Sequence, residues 1–173
     1  MSDSRIAGTG LDDRQALIDE LAGGGLSPER EQRLSLAVCG PDGVARIRAV
    51  HGNSGAEQIL ADFAGLLTRM SRDHDRVVRW TEDRFMLALP LTQAVGAAKF
   101  CERIRREAAF MEYTGIPERV TASFGVAERV AEESLDGLLQ RVDDALAQAL
   151  RDEGNEVFVA LAPTMEMQAI EDD

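Results

Sequence analysis

Cysteines, aromatic residues and long apolar runs are all scarce in this sequence. The 173 residues include two cysteines, Cys39 and Cys101, one tryptophan and one tyrosine. Two cysteines are too few for a disulfide framework, and both stand in apolar stretches, so we expect them to be reduced and buried. No stretch approaches the roughly 18 apolar residues that span a bilayer, and the N-terminus leads into no apolar signal core. We therefore expect no membrane insertion and a cytoplasmic location.

Positive charge is also in short supply. The chain has 19 lysines and arginines against 31 aspartates and glutamates, a formal net charge of −12. This balance argues against nonspecific binding to nucleic acid or to anionic lipid. The two histidines do not pair with the cysteines at a metal-ligand spacing, so no zinc site is expected. We expect a single domain over residues 1–161 and an acidic, flexible tail over residues 162–173.

The apolar pattern predicts an α+β domain. Helical periodicity occurs in four segments and strand-like alternation in five, and a polar turn at residues 81–84 separates two of the strands. The predicted helices cover about 12–21, 58–70, 93–109 and 135–150, and the predicted strands cover 34–39, 76–80, 85–89, 120–126 and 157–160. The expected core order is β-α-α-β-β-α-β. It predicts a mainly antiparallel central sheet that is flanked by helices.

Several segments resemble the GGDEF family of diguanylate cyclases. Residues 79–85, Arg-Trp-Thr-Glu-Asp-Arg-Phe, resemble the signature R-Y-G-G-D/E-E-F. Residues 9–14 resemble T-G-L-x-N-R, residues 51–60 resemble Y-G-H-x-x-G-D-x-x-L, and residues 120–127 resemble V-T-V-S-I-G-V-A. The A-D-x-A-L of the family's last helix matches residues 142–146. This resemblance covers roughly residues 6 to 160 and implies a GGDEF/nucleotidyl-cyclase-like fold.

The resemblance also implies which residues would hold a metal ion. Family members join two GTP molecules into cyclic di-GMP with carboxylates on Mg²⁺. The leading metal carboxylate falls on Gly40, which has no side chain, while Asp42 keeps the second acidic position. Asp83 keeps the metal-ligand position of the signature turn, and Arg84 stands where the family has an acid. One carboxylate of the metal pair remains, so Mg²⁺ binding is not expected and no cofactor is predicted.

The positions that contact the nucleotide differ from the family as well. The two signature glycines fall on Thr81 and Glu82, and the guanine-binding Asn and Asp fall on Arg48 and Glu57. Near the C-terminus the family's phosphate-binding Lys and Arg fall on Leu150 and Gly154. Each loss would cost on the order of 2–4 kcal/mol if it resembles the loss of one charged contact. The sequence therefore predicts a pseudoenzyme of the diguanylate cyclase family, without a catalytic residue.

Three charged residues match the family's inhibitory site. Arg72 and Asp75 form an R-x-x-D motif five residues before the signature turn, and Arg103 lies in Glu-Arg-Ile-Arg on the following helix. In the family such residues bind cyclic di-GMP, for which the planar guanidinium of arginine is well suited. Short R-x-x-D matches also arise by chance, and the arginines of a helix are often simply solvated.

The main hypothesis is a catalytically inactive GGDEF-like domain that acts in cyclic di-GMP signalling through Arg72, Asp75 and Arg103. The alternatives are a scaffold for protein interactions that binds no nucleotide, a residual cyclase that uses Asp42 and Asp83, and a GTP sensor in which Arg84 replaces the charge of the metal. The expected partners are cyclic di-GMP, a protein of a signalling pathway and a second copy of the chain. About eight residues precede the first motif. The chain is thus expected to be either a piece of a longer protein or, as its Met-Ser start favours, one that acts alone on partners.

Overall fold

The helices and strands follow the order that the apolar pattern predicts. The computed structural model describes residues 11–23 and 33–163. Its elements are β1 (Asp12–Asp13), α1 (Arg14–Ala22), β2 (Leu34–Pro41), α2 (Val44–Met70), β3 (Arg76–Thr81), β4 (Arg84–Pro90), α3 (Ala94–Phe110), β5 (Ala122–Glu128), α4 (Leu135–Ala149) and β6 (Val157–Val159). Nearly all of the predicted acidic tail lies outside the described residues. Within those residues, no helix combines the length and the apolarity that crossing a bilayer requires.

One mixed sheet organises the fold, with strand order β1-β3-β4-β2-β5-β6. β2 is antiparallel to both β4 and β5, and β3 is antiparallel to β4. The two edge strands β1 and β6 are parallel to their neighbours. The prediction of a mainly antiparallel sheet in an α+β fold is confirmed. β1 was not predicted, because a strand of two residues is too short to show an alternating pattern.

Helices cover both faces of the sheet. On one face α2 and α3 pack over a cluster that includes three phenylalanines. The ring centroid of Phe63 lies 5.7 Å from that of Phe85 and 6.4 Å from that of Phe124. On the other face α1 and α4 pack over a second cluster. Because β2 is covered from both sides, all eight of its residues are buried. Cys39 and Cys101 are both buried and free, as the sequence predicts.

α2 is two helical segments joined at a break. Gly52 has φ 76° and ψ −179°, a backbone conformation that interrupts the helix. Residues with a Cβ rarely adopt it. The first segment begins at Val44, directly after β2, and the second carries the apolar face that packs on the sheet. The expected core order has two helices between the first two predicted strands, but the apolar pattern located only the second, over residues 58–70.

Gly125 allows α4 to lie close to the sheet. It pairs with Val38 in the middle of β5, and a Cβ at this position would lie 2.2 Å from the backbone nitrogen of Leu146 and 2.7 Å from the carbonyl oxygen of Val142. Both contacts are to the backbone of α4, which cannot move aside without shifting the whole helix. The glycine of the family's S-I-G-V segment is therefore a packing requirement here.

We expect Gly125→Ala to lower the free energy of unfolding by about 1–3 kcal/mol, because an added methyl group overpacks the contact between α4 and β5. Urea denaturation followed by circular dichroism measures the change. The matched control is Gly96→Ala, at an exposed position of α3 where the nearest atom, Thr92 Cγ2, is 3.5 Å from the new Cβ. That variant should be neutral or more stable by up to about 1 kcal/mol. Equal effects at the two positions would contradict the packing argument.

Candidate functional site

The end of β2 lies directly against the turn between β3 and β4. A side chain at Gly40 would place its Cβ 2.7 Å from the carbonyl oxygen of Asp83 and 2.9 Å from Nη1 of Arg84. The position of the family's leading carboxylate is thus occupied by the turn backbone and by the Arg84 side chain. Burial raises the pKa of the neighbouring Cys39 thiol well above its usual value, and the charge of Arg84 opposes that shift. The positive charge of Arg84 therefore acts on the Cys39 thiol at the end of β2.

Both carboxylate oxygens of Asp42 accept hydrogen bonds from the protein. Its Oδ2 accepts hydrogen bonds from Thr121 Oγ1 at 2.7 Å and from the backbone N–H of Asn155 at 2.9 Å, and its Oδ1 accepts one from Ser123 Oγ at 2.8 Å. The carboxylate thereby joins the end of β2 to the start of β5 and to the loop before β6. Asp42 is a structural acceptor in this arrangement.

The loop that Asp42 holds has an unusual backbone. Asp152, Glu153, Gly154 and Asn155 all have positive φ, between 51° and 80°. Such conformations cost of order 1–3 kcal/mol each for residues other than glycine, so the surrounding contacts must maintain them. A Cβ at Gly154 would lie 2.8 Å from Oδ1 of Asp42. The family's arginine cannot stand at this position while Asp42 bonds the loop.

The acidic residue of the signature turn is held in an ion pair. Arg48, in the first segment of α2, places Nη2 2.8 Å from Oδ1 and Nη1 3.4 Å from Oδ2 of Asp83. The hydrogen bond to Asp83 is the main cause that raises the pKa of Arg48. Glu82 approaches the same guanidinium at 3.8 Å, and Asn53 accepts a hydrogen bond from Arg48 Nε at 3.0 Å. Arg48 stands at the position of the family's guanine-binding asparagine, and Asp83 stands at the position of its metal ligand. The arginine therefore neutralises the retained acidic residue.

A second ion pair lines the cleft on the side of the predicted base site. Arg79 is 7% exposed, and its Nη1 and Nη2 both lie 3.3 Å from carboxylate oxygens of Glu57. The guanidinium of Arg14 stacks 4.0 Å from the centroid of the Trp80 ring. These side chains line a cleft of about 620 Å³, together with Asp13, Gln15, Thr81 and Glu82. The cleft is shallow and widely open to solvent.

The residues present do not fit the Mg²⁺ site of the resembled family. Gly40 offers no ligand atom, Asp42 accepts three hydrogen bonds, and Asp83 is paired with Arg48. Arg84 adds a positive charge where a divalent cation would need negative ones. No catalytic step that depends on a metal ion can be derived from these side chains.

The R-x-x-D turn lies at the other end of the hairpin. Asp75 Oδ2 accepts a hydrogen bond from the backbone N–H of Arg72 at 2.9 Å, which closes the turn, and the Asp75 side chain is fully buried. Its Oδ1 has no hydrogen-bond partner within the part of the chain that is described. The Arg72 side chain is 57% exposed, and its Nη2 lies 3.4 Å from Thr92 Oγ1, just before α3 begins.

Arg103 is exposed on α3, with its guanidinium 5.6 Å from the centroid of the Phe100 ring. It lies nine residues into the helix, about 14 Å along the axis from Ala94. The structure brings Arg72 and Asp75 together, whereas Arg103 is in contact with neither of them.

Comparisons with known proteins identify the family. The model for the family described as diguanylate cyclase, GGDEF domain, matches residues 7–156. The chain belongs to the GGDEF domain family. It is 37% identical over 129 residues to the diguanylate cyclase DgcM of Escherichia coli strain K12, covering 75% of this chain and 31% of that protein. It is 30% identical over 146 residues to the diguanylate cyclase DgcP of Pseudomonas aeruginosa, covering 83% of this chain and 22% of that protein.

Solved structures share the fold of this GGDEF domain. The GGDEF domain of DgcB from Caulobacter crescentus, determined in complex with c-di-GMP, superposes with a TM-score of 0.83 at 25% identity, covering 92% of this chain and 96% of that one. The diguanylate cyclase SiaD from Pseudomonas aeruginosa, in complex with its activator SiaC, superposes with a TM-score of 0.84 at 26% identity, covering 92% of this chain and 62% of that one. The GGDEF/nucleotidyl-cyclase-like fold is confirmed.

The structure gathers most of the predicted active positions at one place. Positions 40, 48, 83 and 84 lie around the signature turn, and Gly154 touches Asp42 nearby. Leu150, at the family's lysine position, is the C-cap of α4 and is 37% exposed. Glu57 lies in the neighbouring cleft. The assignment of these positions as functional or vestigial remains a prediction.

Two arginines in the cleft were not predicted to have a role. Arg79 is a charged residue inside an otherwise apolar strand pattern, which is a signal that it needs a buried partner. Arg14 is the last residue of the segment 9–14 that resembles T-G-L-x-N-R, and residues 9 and 10 of that segment lie outside the described residues. Its stacking on Trp80 joins positions 66 residues apart in the sequence, and no local pattern indicates it.

We expect Asp42→Ala to lower the free energy of unfolding by about 1–3 kcal/mol, because three donors lose their acceptor and the loop at 152–155 loses its tether. Urea denaturation gives the value, and Asp73→Ala, at an exposed aspartate after α2, is the control. The opposite change in stability is expected if the Asp42 carboxylate is kept free for a metal ion. Its removal in metal-free buffer would then leave the stability unchanged or raise it.

Proposed function

We propose that this GGDEF domain synthesises no cyclic di-GMP and acts in cyclic di-GMP signalling as a ligand-binding effector. The observation that carries the first part is the ion pair between Arg48 and Asp83, with two contacts of 2.8 and 3.4 Å. It engages the metal-ligand carboxylate that the chain retains in its signature turn. To free Asp83, a metal ion would have to displace a guanidinium that lies across the same cleft.

The crowding at Gly40 supports the same proposal. A restored aspartate at this position would bring its Cβ within 2.7 Å of the Asp83 carbonyl oxygen, which belongs to the backbone of the turn. The chain thus lacks both the leading carboxylate and the space for one. The relatives of this domain are named as diguanylate cyclases, but the chain spans about a third or less of their length.

Cyclic di-GMP binding is supported by the geometry of the R-x-x-D turn. The hydrogen bond between Asp75 and the Arg72 backbone holds the turn in one conformation and leaves the Arg72 guanidinium largely exposed. The unsatisfied Oδ1 of Asp75 is a buried acceptor, a state that costs about 1–3 kcal/mol until a donor reaches it. A guanine edge offers two N–H donors of the kind that Oδ1 lacks, and the imidazole of His74 lies 3.9 Å from Oδ1.

Incubation of the protein with GTP and either Mg²⁺ or Mn²⁺ should yield no cyclic di-GMP by liquid chromatography. Gly40→Asp should remain inactive, since the position has no room for a side chain. Product that disappears in Asp83→Ala would contradict the proposal and favour a residual cyclase that uses Asp42 and Asp83.

Calorimetric titration tests the effector role. We expect cyclic di-GMP to bind with micromolar or tighter affinity, and Arg72→Ala to weaken binding at least tenfold, because the exposed guanidinium contacts base or phosphate. Arg69→Ala, which removes the same charge from an exposed position one turn earlier, should bind like the unaltered protein. Absence of binding in the unaltered protein would favour the alternative of a scaffold that recognises another protein without nucleotide.

A further inference from the structure

α3 turns one side to the sheet and the other to solvent. The buried side consists of Ala97, Phe100, Cys101, Ile104 and Ala108. Residues three or four positions apart lie on the same face of a helix. At this spacing on the opposite side every residue is exposed, and we call this set the outer stripe: Val95, Lys99, Arg103, Arg106 and Phe110. No element of the described part of the chain covers the outer stripe.

The middle of the outer stripe is basic, although the chain as a whole is strongly acidic. α3 carries four basic residues and two acidic ones, whereas the formal net charge of the chain is −12. Of the two acids, Glu102 pairs with Arg106 at 3.4 Å, and Glu107 forms no ion pair in the part of the chain that is described. Lys99 and Arg103 likewise have no acidic partner there. Their charges are therefore available to an acidic group from outside the domain.

Exposed apolar side chains stand at both ends of the outer stripe. Val95, in the first turn of α3, is 64% exposed, and Phe110, its last residue, is 78% exposed. Leu91, just before the helix, is 65% exposed and has φ 56°, which a bulky side chain rarely adopts. Its backbone N–H donates to the carbonyl oxygen of Arg33 at 2.6 Å, which holds this conformation. Strained residues of this kind cluster at binding sites.

An open groove continues the outer stripe beyond Phe110. It lies between the end of α3 and the loop that leads to β5, and its lining includes Phe110, Met111, Glu112, Ile116, Pro117 and Glu118. Glu118 is paired with His51 at 2.8 Å, so its charge is partly engaged. The guanidinium of Arg119 lies 5.8 Å from the centroid of the Phe110 ring. Val95 and this groove are about 22 Å apart along the helix axis, with the cations between them.

The charge and the apolar ends together identify the class of partner. Nucleic acid needs only cations, and a net charge of −12 repels a long polyanion. Exposed apolar side chains beside charged ones are instead typical of surfaces that contact other proteins. An amphipathic helix that lies along a groove makes apolar contacts at helical spacing and can place acidic residues between them.

We propose that the outer stripe and the groove beside Phe110 form a docking surface for an acidic amphipathic helix of a partner protein. Its carboxylates would lie against Lys99, Arg103 and Arg106, and one of its apolar side chains would enter the groove. The proposal does not require cyclic di-GMP to bind at the R-x-x-D turn, although Arg103 belongs to both sets of residues.

Fluorescence anisotropy with a labelled peptide tests the proposal. The probe is a helical peptide of alanine and glutamate with a leucine near each end, the two about 22 Å apart. We expect it to bind more tightly at low salt than at high salt, and Lys99→Glu to weaken binding at least tenfold. Arg129→Glu makes the same charge change at an exposed position beside α1 and α4, on the other face of the sheet, and should leave binding unchanged.

The apolar part of the proposed surface has its own control. Phe110→Ser should weaken binding about fivefold, and a peptide with serine in place of both leucines should no longer respond to that substitution. Circular dichroism establishes that each variant is folded.

Three results would overturn the proposal. They are no binding of the peptide at low salt, equal weakening by Lys99→Glu and Arg129→Glu, and equally tight binding of a single-stranded oligothymidylate with the same charge as the peptide. The last result would indicate a general affinity for polyanions. Cyclic di-GMP is titrated separately, and its failure to bind would contradict the proposed effector role while leaving the peptide result as it stands.

Discussion

The close approach between the end of β2 and the turn of the β3–β4 hairpin determines the rest of the site. It requires a residue without a side chain at position 40, because the carbonyl oxygen of Asp83 and the guanidinium of Arg84 fill the space. With the turn in this place, the Asp83 carboxylate faces α2 and meets Arg48 at 2.8 Å. The altered signature residues thus form one connected arrangement.

The substitutions relative to the family pattern compensate for one another. An arginine at position 48 would place an unpaired charge beside the base site, but here it neutralises Asp83. An arginine at position 154 would clash with Asp42, whereas Gly154 lets that carboxylate bond the backbone of Asn155. A buried or half-buried charge is costly only when its partner is missing. The charged side chains at these positions therefore contact one another and the backbone within the domain.

The sequence predicted the elements better than the site. Helix α4 and strand β4 were placed within a residue or two, because their apolar periods of 3.6 and 2 reflect burial directly. The pair of Arg79 and Glu57 joins residues 22 positions apart, and that of Arg48 and Asp83 joins residues 35 apart. Such pairs depend on how β3 and the turn of the β3–β4 hairpin fold against α2. The resemblance identified Arg48 and Glu57 as changed positions, but only the tertiary structure gives their partners.

The charge changes around the signature turn bear on the proposed loss of cyclic di-GMP synthesis. Loss of an acid at position 40 and gain of an arginine at positions 48 and 84 make the metal side of the cleft more positive, whereas Glu82, Leu150 and Gly154 make the phosphate positions less positive. A fixed guanidinium can attract phosphate and donate hydrogen bonds to it, but it has no open coordination position at which a hydroxyl could be activated. The proposed loss of catalysis rests on this difference between a guanidinium and a metal ion.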